Sequence, residues 1–229
     1  SKPQASDEIE QRMRSLSVLT LSAATAGRRQ GIALLVLLAF SFSSAGVSAR
    51  AADSEASEFI RDLGVRAVDV LRDKEGSTFA ERETAFRHIL VEAFHIRTIS
   101  RFVLGRYWKS ATKAQRQAYN DIFVDFIVRV YASRFDSYNG ETFEIMETME
   151  SDKHGDVIVR TRILRPSGDP PIGVDYRVRV IEGSYRVVDI NVEGISMLHT
   201  HRIEFASVIN RKGMDGFLDE LRAQVEARK

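Results

Sequence analysis

The stretch Tyr131-Ala-Ser-Arg-Phe-Asp-Ser-Tyr-Asn-Gly-Glu-Thr-Phe-Glu-Ile145 is where the chain changes its hydrophobic repeat. Upstream of it, Tyr119, Ile122, Phe123, Phe126, Ile127, Val130, Tyr131, Phe135 and Tyr138 recur at helical spacing. That wide, aromatic-rich stripe predicts a long helix over 113–138 that forms one wall of a core. Asn139-Gly140 is a breaker, and beyond it the period falls to two. Phe143 and Ile145 alternate with Thr142 and Glu144, and Val157, Val159, Thr161 and Ile163 alternate with Ile158, Arg160, Arg162 and Leu164. After the turn Pro166-Ser-Gly-Asp-Pro-Pro171, Val174, Tyr176, Val178 and Val180 alternate with Asp175, Arg177 and Arg179. Gly183 marks one more turn before Tyr185–Val192. Four strands joined by short turns predict an antiparallel meander with one apolar and one wetted face.

Outward from this switch the helical period returns on both sides. Towards the N-terminus, Ile60, Leu63, Ala67 and Leu71 predict a helix over 53–72. Thr78-Phe-Ala-Glu81 is a capping box opening a second helix through Ile89 and Leu90, and a third, 96–104, stops at Gly105. Thr112-Lys-Ala-Gln115 is another capping box and opens the long helix. Towards the C-terminus, Phe205, Val208 and Ile209 precede Gly213, and Phe217, Leu218, Leu221 and Val225 follow it. The order predicts an α+β domain, a curved four-stranded antiparallel sheet backed on one face by about six helices. The long helix is expected to face Val174, Tyr176, Val178 and Val180. Pattern leaves open whether the space between them is a filled core or a lined pocket.

The chain has 229 residues, 44% hydrophobic and 28% charged, which suits a folded domain. Residues 1–51 hold six of the 33 bases and three of the 32 acids, leaving the rest slightly acidic at −2. Such a domain lacks the basic stripe that nucleic acid requires. Cysteine is absent, so disulfides and thiolate chemistry are excluded. Arg28-Arg29, the apolar run Gly31–Phe42 and the small residues Ser43–Ala49 have the order of an export signal. Twelve residues rise only about 18 Å as a helix, too little for a hydrocarbon core of about 30 Å. Cleavage is expected after Val47-Ser48-Ala49 or Ala49-Arg50-Ala51, with Met13 a candidate start. Residues 1–51 are thus read as extension and signal peptide, and 52–229 as one domain.

Reaction-centre motifs are missing: there is no Gly-x-Ser-x-Gly, His-Glu-x-x-His, P-loop or Gly-x-Gly-x-x-Gly. Glu92-Ala-Phe-His95 has the Glu-x-x-His spacing of di-iron bundles, but no second copy accompanies it, so His95 is expected at the surface. Asp152 and Asp156 fall in a polar connection and are expected to be solvated. No catalytic residue and no metal ligand is assigned.

Several segments resemble the MlaC (toluene-tolerance) family. They are Val103-Leu-Gly-Arg-Tyr-Trp-Lys-Ser-Ala-Thr-Lys-Ala-Gln-Arg-Gln-Ala-Tyr119, Tyr138-Asn-Gly-Glu-Thr-Phe-Glu-Ile145, Gly168-Asp-Pro-Pro-Ile172, Val188-Asp-Ile-Asn-Val-Glu-Gly-Ile-Ser-Met197 and Asn210-Arg-Lys-Gly-Met-Asp-Gly-Phe217. Their order is kept over 54–228. Asp169 and His201 depart from the expected residues and are assigned to the surface. The resemblance implies a periplasmic phospholipid carrier with no cofactor beyond its cargo, holding acyl chains in an apolar cavity between sheet and helices. It also implies two partners: an inner-membrane ABC transporter with a lipid-binding subunit, and an outer-membrane lipoprotein–porin complex. On apolar alternation, the expected tail contacts are Phe123, Ile127, Val130 and Tyr131 from the long helix. Val159, Ile163, Val174, Tyr176, Val178, Val188 and Ile190 are those expected from the sheet. A branch of the family associated with hopanoid synthesis is an alternative. So are a small cone-shaped enzyme acting on an apolar substrate, with a pKa-shifted group near Tyr176, and a binding module whose core is simply filled.

Overall fold

The structure is a computed structural model and describes residues 46–73, 76–132, 135–151 and 155–227. The export-signal run Gly31–Phe42 lies outside the described residues. Helix α1 spans Gly46–Arg72 and runs unbroken through the expected cleavage positions. Helices α2 (Phe79–Ala93), α3 (Ile96–Leu104), α4 (Tyr107–Ser110) and α5 (Lys113–Ala132) follow. The sheet strands are β1 (Thr142–Glu150), β2 (Val157–Leu164), β3 (Ile172–Ile181), β4 (Ser184–Val192) and β5 (Ile195–Ser196). Helix α6, Met197–Glu226, completes the chain, with non-helical backbone at Gly213 inside it.

Both expected capping boxes form. The Thr78 amide donates to Glu81 Oε2 at 2.7 Å and the Glu81 amide donates back to Thr78 Oγ1 at 3.3 Å. Thr112 and Gln115 repeat the exchange at 3.0 and 3.1 Å. Helix α5 ends earlier than the stripe suggests, at Ala132, and Phe135–Ser137 is a 3₁₀ turn.

The sheet has five strands in the order β1-β2-β3-β4-β5, not four. The added strand has a local cause. Glu182-Gly183 turns β3 into β4, with both residues at positive φ (51° and 76°). Glu193-Gly194 repeats that geometry (50° and 78°) and pairs Val192 with Ile195. Two successive left-handed residues build the type I′ turn, whose twist matches that of the flanking strands. Bulges at Met146 of β1 and Val188 of β4 shift the register and curve the sheet.

The apolar face of the sheet is covered by α1 and α2. Ala56, Ile60 and Leu63 of α1 and Ile89 and Ala93 of α2 close on Val157, Val159, Val178 and Val187. Close approach of α1 depends on Gly64, where an added Cβ would stand 2.8 Å from the Phe143 ring. Gly64→Val is therefore expected to destabilise the fold by about 1–3 kcal/mol through overpacking, read from the denaturant midpoint.

Helix α5 is placed differently from expectation. It packs on α2, α3 and α6. Arg129 meets Glu83 of α2 at 2.7 Å and Arg87 of α2 meets Asp125 at 2.6 Å. On its other side an aromatic layer joins it to α6: Tyr119, Phe123 and Phe126 with Phe205 and Phe217, the last two 4.8 Å apart. The Tyr119 hydroxyl, fully buried, donates to the Ser100 carbonyl at 3.0 Å. The wide stripe thus serves several neighbouring helices at once, and the sheet is not its main partner.

Two polar residues expected in solvent are buried. Asp156 is 1% exposed. It accepts from Arg179 at 2.6 and 3.0 Å and lies 3.7 Å from Arg177, so a bidentate pair replaces its water. His201, 7% exposed, sits edge-on to Phe126 with Nδ1 3.1 Å from Glu204. His95 is half-buried at the start of α3, its Nδ1 2.6 Å from the Thr98 hydroxyl. Asp169 is exposed, as expected.

A candidate lipid-binding face

Cross-strand pairing sets which side chains share the apolar face. Val159 pairs with Tyr176 and Tyr176 with Ile190, forming one row across β2, β3 and β4. Val174 joins a neighbouring row between Thr161 and Val192, Val178 pairs with Val157 and Val187, and Ile163 with Ile172. Six of the seven expected sheet residues are therefore brought onto one surface. The seventh, Val188, occupies the β4 bulge and is buried there. Val180, expected on the same wall, is 55% exposed near the end of β3.

Within this face two zones differ. Val159 and Val178 are fully buried beneath α1 and α2, and Val174 is nearly so. Tyr176 and Ile190 are only partly buried, as are Phe143, Ile145, Phe59, Val70 and Phe94 packed around the same core. Ile163 is also half-buried. Of these, Phe59, Val70 and Phe94 lie beyond the reach of strand alternation because they come from the helical side. Thr161 is the polar residue on this wall, and its hydroxyl donates to the Val174 carbonyl at 2.7 Å, leaving the surface apolar.

The four residues expected from α5 are not brought together with that face in one way. Phe123 has its ring 5.4 Å from Tyr119 in the aromatic layer with α6, and Val130 is buried, whereas Ile127 and Tyr131 are half-buried. Phe123 is thus committed to helix–helix packing.

The sequence model of the MlaC protein family matches residues 62–223. The chain belongs to the MlaC family. All eleven expected wall residues fall inside that match. The MlaC chain is 24% identical over 140 residues to the intermembrane phospholipid transport system binding protein MlaC of Haemophilus influenzae. That alignment covers 60% of this chain and 65% of the relative, a little under two thirds of its length. The fold is similar to a phospholipid-binding protein from Ralstonia solanacearum solved in complex with a phospholipid, with a TM-score of 0.66 and 22% identity. It covers 76% of this chain and 98% of that one.

Among the described residues of this MlaC chain, no group of three or more His, Asp or Glu side chains is placed to hold a metal. No described helix is long and apolar enough to cross a membrane. Burial pushes the Tyr176 phenol up to about 12 and the Tyr119 phenol well above its usual 10. The unfolded chain ionises these two phenols near pH 10 while the folded chain resists, so stability is intact below pH 10 and falls as pH rises through 12. Each phenol removes up to about tenfold from the folding constant per pH unit in that window. Thermal melts between pH 9 and pH 11, with tyrosinate absorbance followed in parallel, are expected to show Tyr119 and Tyr176 gaining tyrosinate absorbance as the protein unfolds.

Proposed function

We propose that the protein is a periplasmic carrier that shields the acyl chains of a phospholipid and moves it between the outer and inner membranes without catalysis. The observation that supports this best is the group Phe143, Tyr176 and Ile190, apolar and only partly covered, beside a fully buried wall. Such residues can exchange contact with each other for contact with a lipid tail at little cost. The physics requires shielding. Two acyl chains hold roughly 30 methylenes, and at about 0.8 kcal/mol each their exposure would cost over 20 kcal/mol. Membership of a family that contains a phospholipid transport binding protein supports the same reading. The proposed partners are an inner-membrane ABC transporter with a lipid-binding subunit and an outer-membrane lipoprotein–porin complex. The export-signal pattern before residue 52 agrees with a periplasmic site of action.

Tyr176, the group an enzymatic reading would need, is held neutral by burial, and at physiological pH it is a poor base. Tails are held by area rather than by hydrogen bonds, so weak selectivity for chain length is expected. Native purification followed by organic extraction and mass spectrometry tests the carrier reading, and it separates phospholipid from hopanoid directly. Recovery of no lipid, together with failure to take up any from vesicles, would overturn it.

A further inference from the structure

A concave site away from the sheet shares none of its lining with the apolar sheet face. It is a pocket of about 360 Å³ where α3, α4 and α6 meet. Four of its side chains are cationic, Arg101, Arg106, Lys109 and Arg202, and two are aromatic, Phe102 and Trp108; none is a carboxylate. Among the described residues, no Asp or Glu forms an ion pair with any of the four. On the outer side of the sheet the pattern is the opposite, with Arg160 meeting Glu147 and Arg162 meeting Glu144. There the bases are matched by acids, and here they are not.

The three arginines have uncharged neighbours. The Arg202 guanidinium lies 5.0 Å from the Phe102 ring centre. Arg101 and Arg116 stand 5.9 and 5.8 Å from the Trp108 ring. Arg106 donates to the Tyr107 hydroxyl at 2.7 Å and to Asn210 Oδ1 at 3.4 Å. Gly105 makes the arrangement fit: its φ is +58°, and a Cβ there would come within 2.7 Å of Arg202 Nε. Guanidinium groups ordered on ring faces keep their donors free for phosphate oxygens and lose little entropy on binding. Phe102 in the same lining is 41% exposed, and Ile203, which follows Arg202 along α6, is 57% exposed. A free anion would satisfy the bases and leave both apolar side chains in water. A bilayer surface takes the bases at its phosphates and the apolar groups just beneath.

We propose that this face docks on an anionic phospholipid surface, with headgroup phosphates seated among Arg101, Arg106, Lys109 and Arg202. The docking stands whether or not a lipid is carried under the sheet. Trp108, the sole tryptophan, reports on it. Vesicles of phosphatidylglycerol in phosphatidylcholine are expected to sediment the purified protein and shift Trp108 emission to the blue, and phosphatidylcholine alone is not. Each base contributes roughly fivefold to partitioning. Arg101→Gln combined with Lys109→Gln, both exposed, should lower it about thirtyfold with the melting temperature unchanged. Arg160→Gln with Arg162→Gln removes the same charge from the sheet and should leave partitioning nearly intact. Equal loss in both pairs, or no preference for anionic vesicles, would overturn the proposal. So would an equal Trp108 shift with inorganic phosphate or polyglutamate, which would assign the site to a free anion or an acidic protein surface. Extracted cargo should be the same in wild type and in the Arg101/Lys109 pair. A wild-type protein that docks but yields no lipid would support docking and overturn carriage alone.

Discussion

Val178→Glu is expected to cost about 4–7 kcal/mol and leave little folded protein. Val178 is fully buried between Val157 and Val187 under α1 and α2, with no base on that face to pair with a carboxylate. The new side chain would have to stay protonated, which raises its pKa by 3–5 units at about 1.4 kcal/mol per unit. That is a large share of the stability of an ordinary domain. The same substitution at Ile163, half-buried and next to the strand end, should be tolerated by the fold. If acyl chains lie along the apolar face, Ile163→Glu lowers extracted lipid roughly tenfold while circular dichroism and the melting temperature stay near wild type. Should Val178→Glu fold normally, the packing of α1 and α2 over the sheet is wrong. Should Ile163→Glu fold and carry lipid at wild-type level, the tails lie elsewhere.

The second large effect is Phe217→Ala, expected to cost about 3–5 kcal/mol. Phe217 is 2% exposed, 4.8 Å from Phe205 and 6.2 Å from Tyr119. It lies beyond the break at Gly213, so it is the side chain through which the last part of α6 reaches the aromatic layer. Denaturant unfolding measures the loss. A change under about 1 kcal/mol would mean that α6 beyond Gly213 adds little to the fold.

Local elements were legible because their signals are local. Capping boxes at Thr78 and Thr112, the repeat switch at Asn139-Gly140 and strand alternation each need only neighbours in sequence. The fifth strand was missed although its cue was present: Glu193-Gly194 repeats Glu182-Gly183, and reading one as a hairpin turn commits the other. The apolar face of the sheet was legible because period two fixes which side chains share a surface, apart from Val188 at a bulge. What lies across from that face was not. A helix stripe states how much surface must be buried, but not which element buries it, and α5 spends Phe123 on α6. Asp156 defeated the sequence for a related reason. Its partners Arg177 and Arg179 stand more than 20 residues away, and only strand register brings them to it.

The two ends of the sheet are finished in different ways. At one end β5 is two residues long and pairs only with Asn191 and Val192 of β4, whose Val187 is bridged by Phe94 just after α2. At the other, β1 carries Glu144, Glu147 and Glu150 and is bent by the bulge at Met146, which is 52% exposed. Short, kinked and acidic margins offer a poor ladder to any foreign strand. The sheet is therefore guarded against polymerising edge to edge. A partner that grips this protein must do so through side chains on helices and loops, where a contact can form and release quickly, and not through a shared backbone seam.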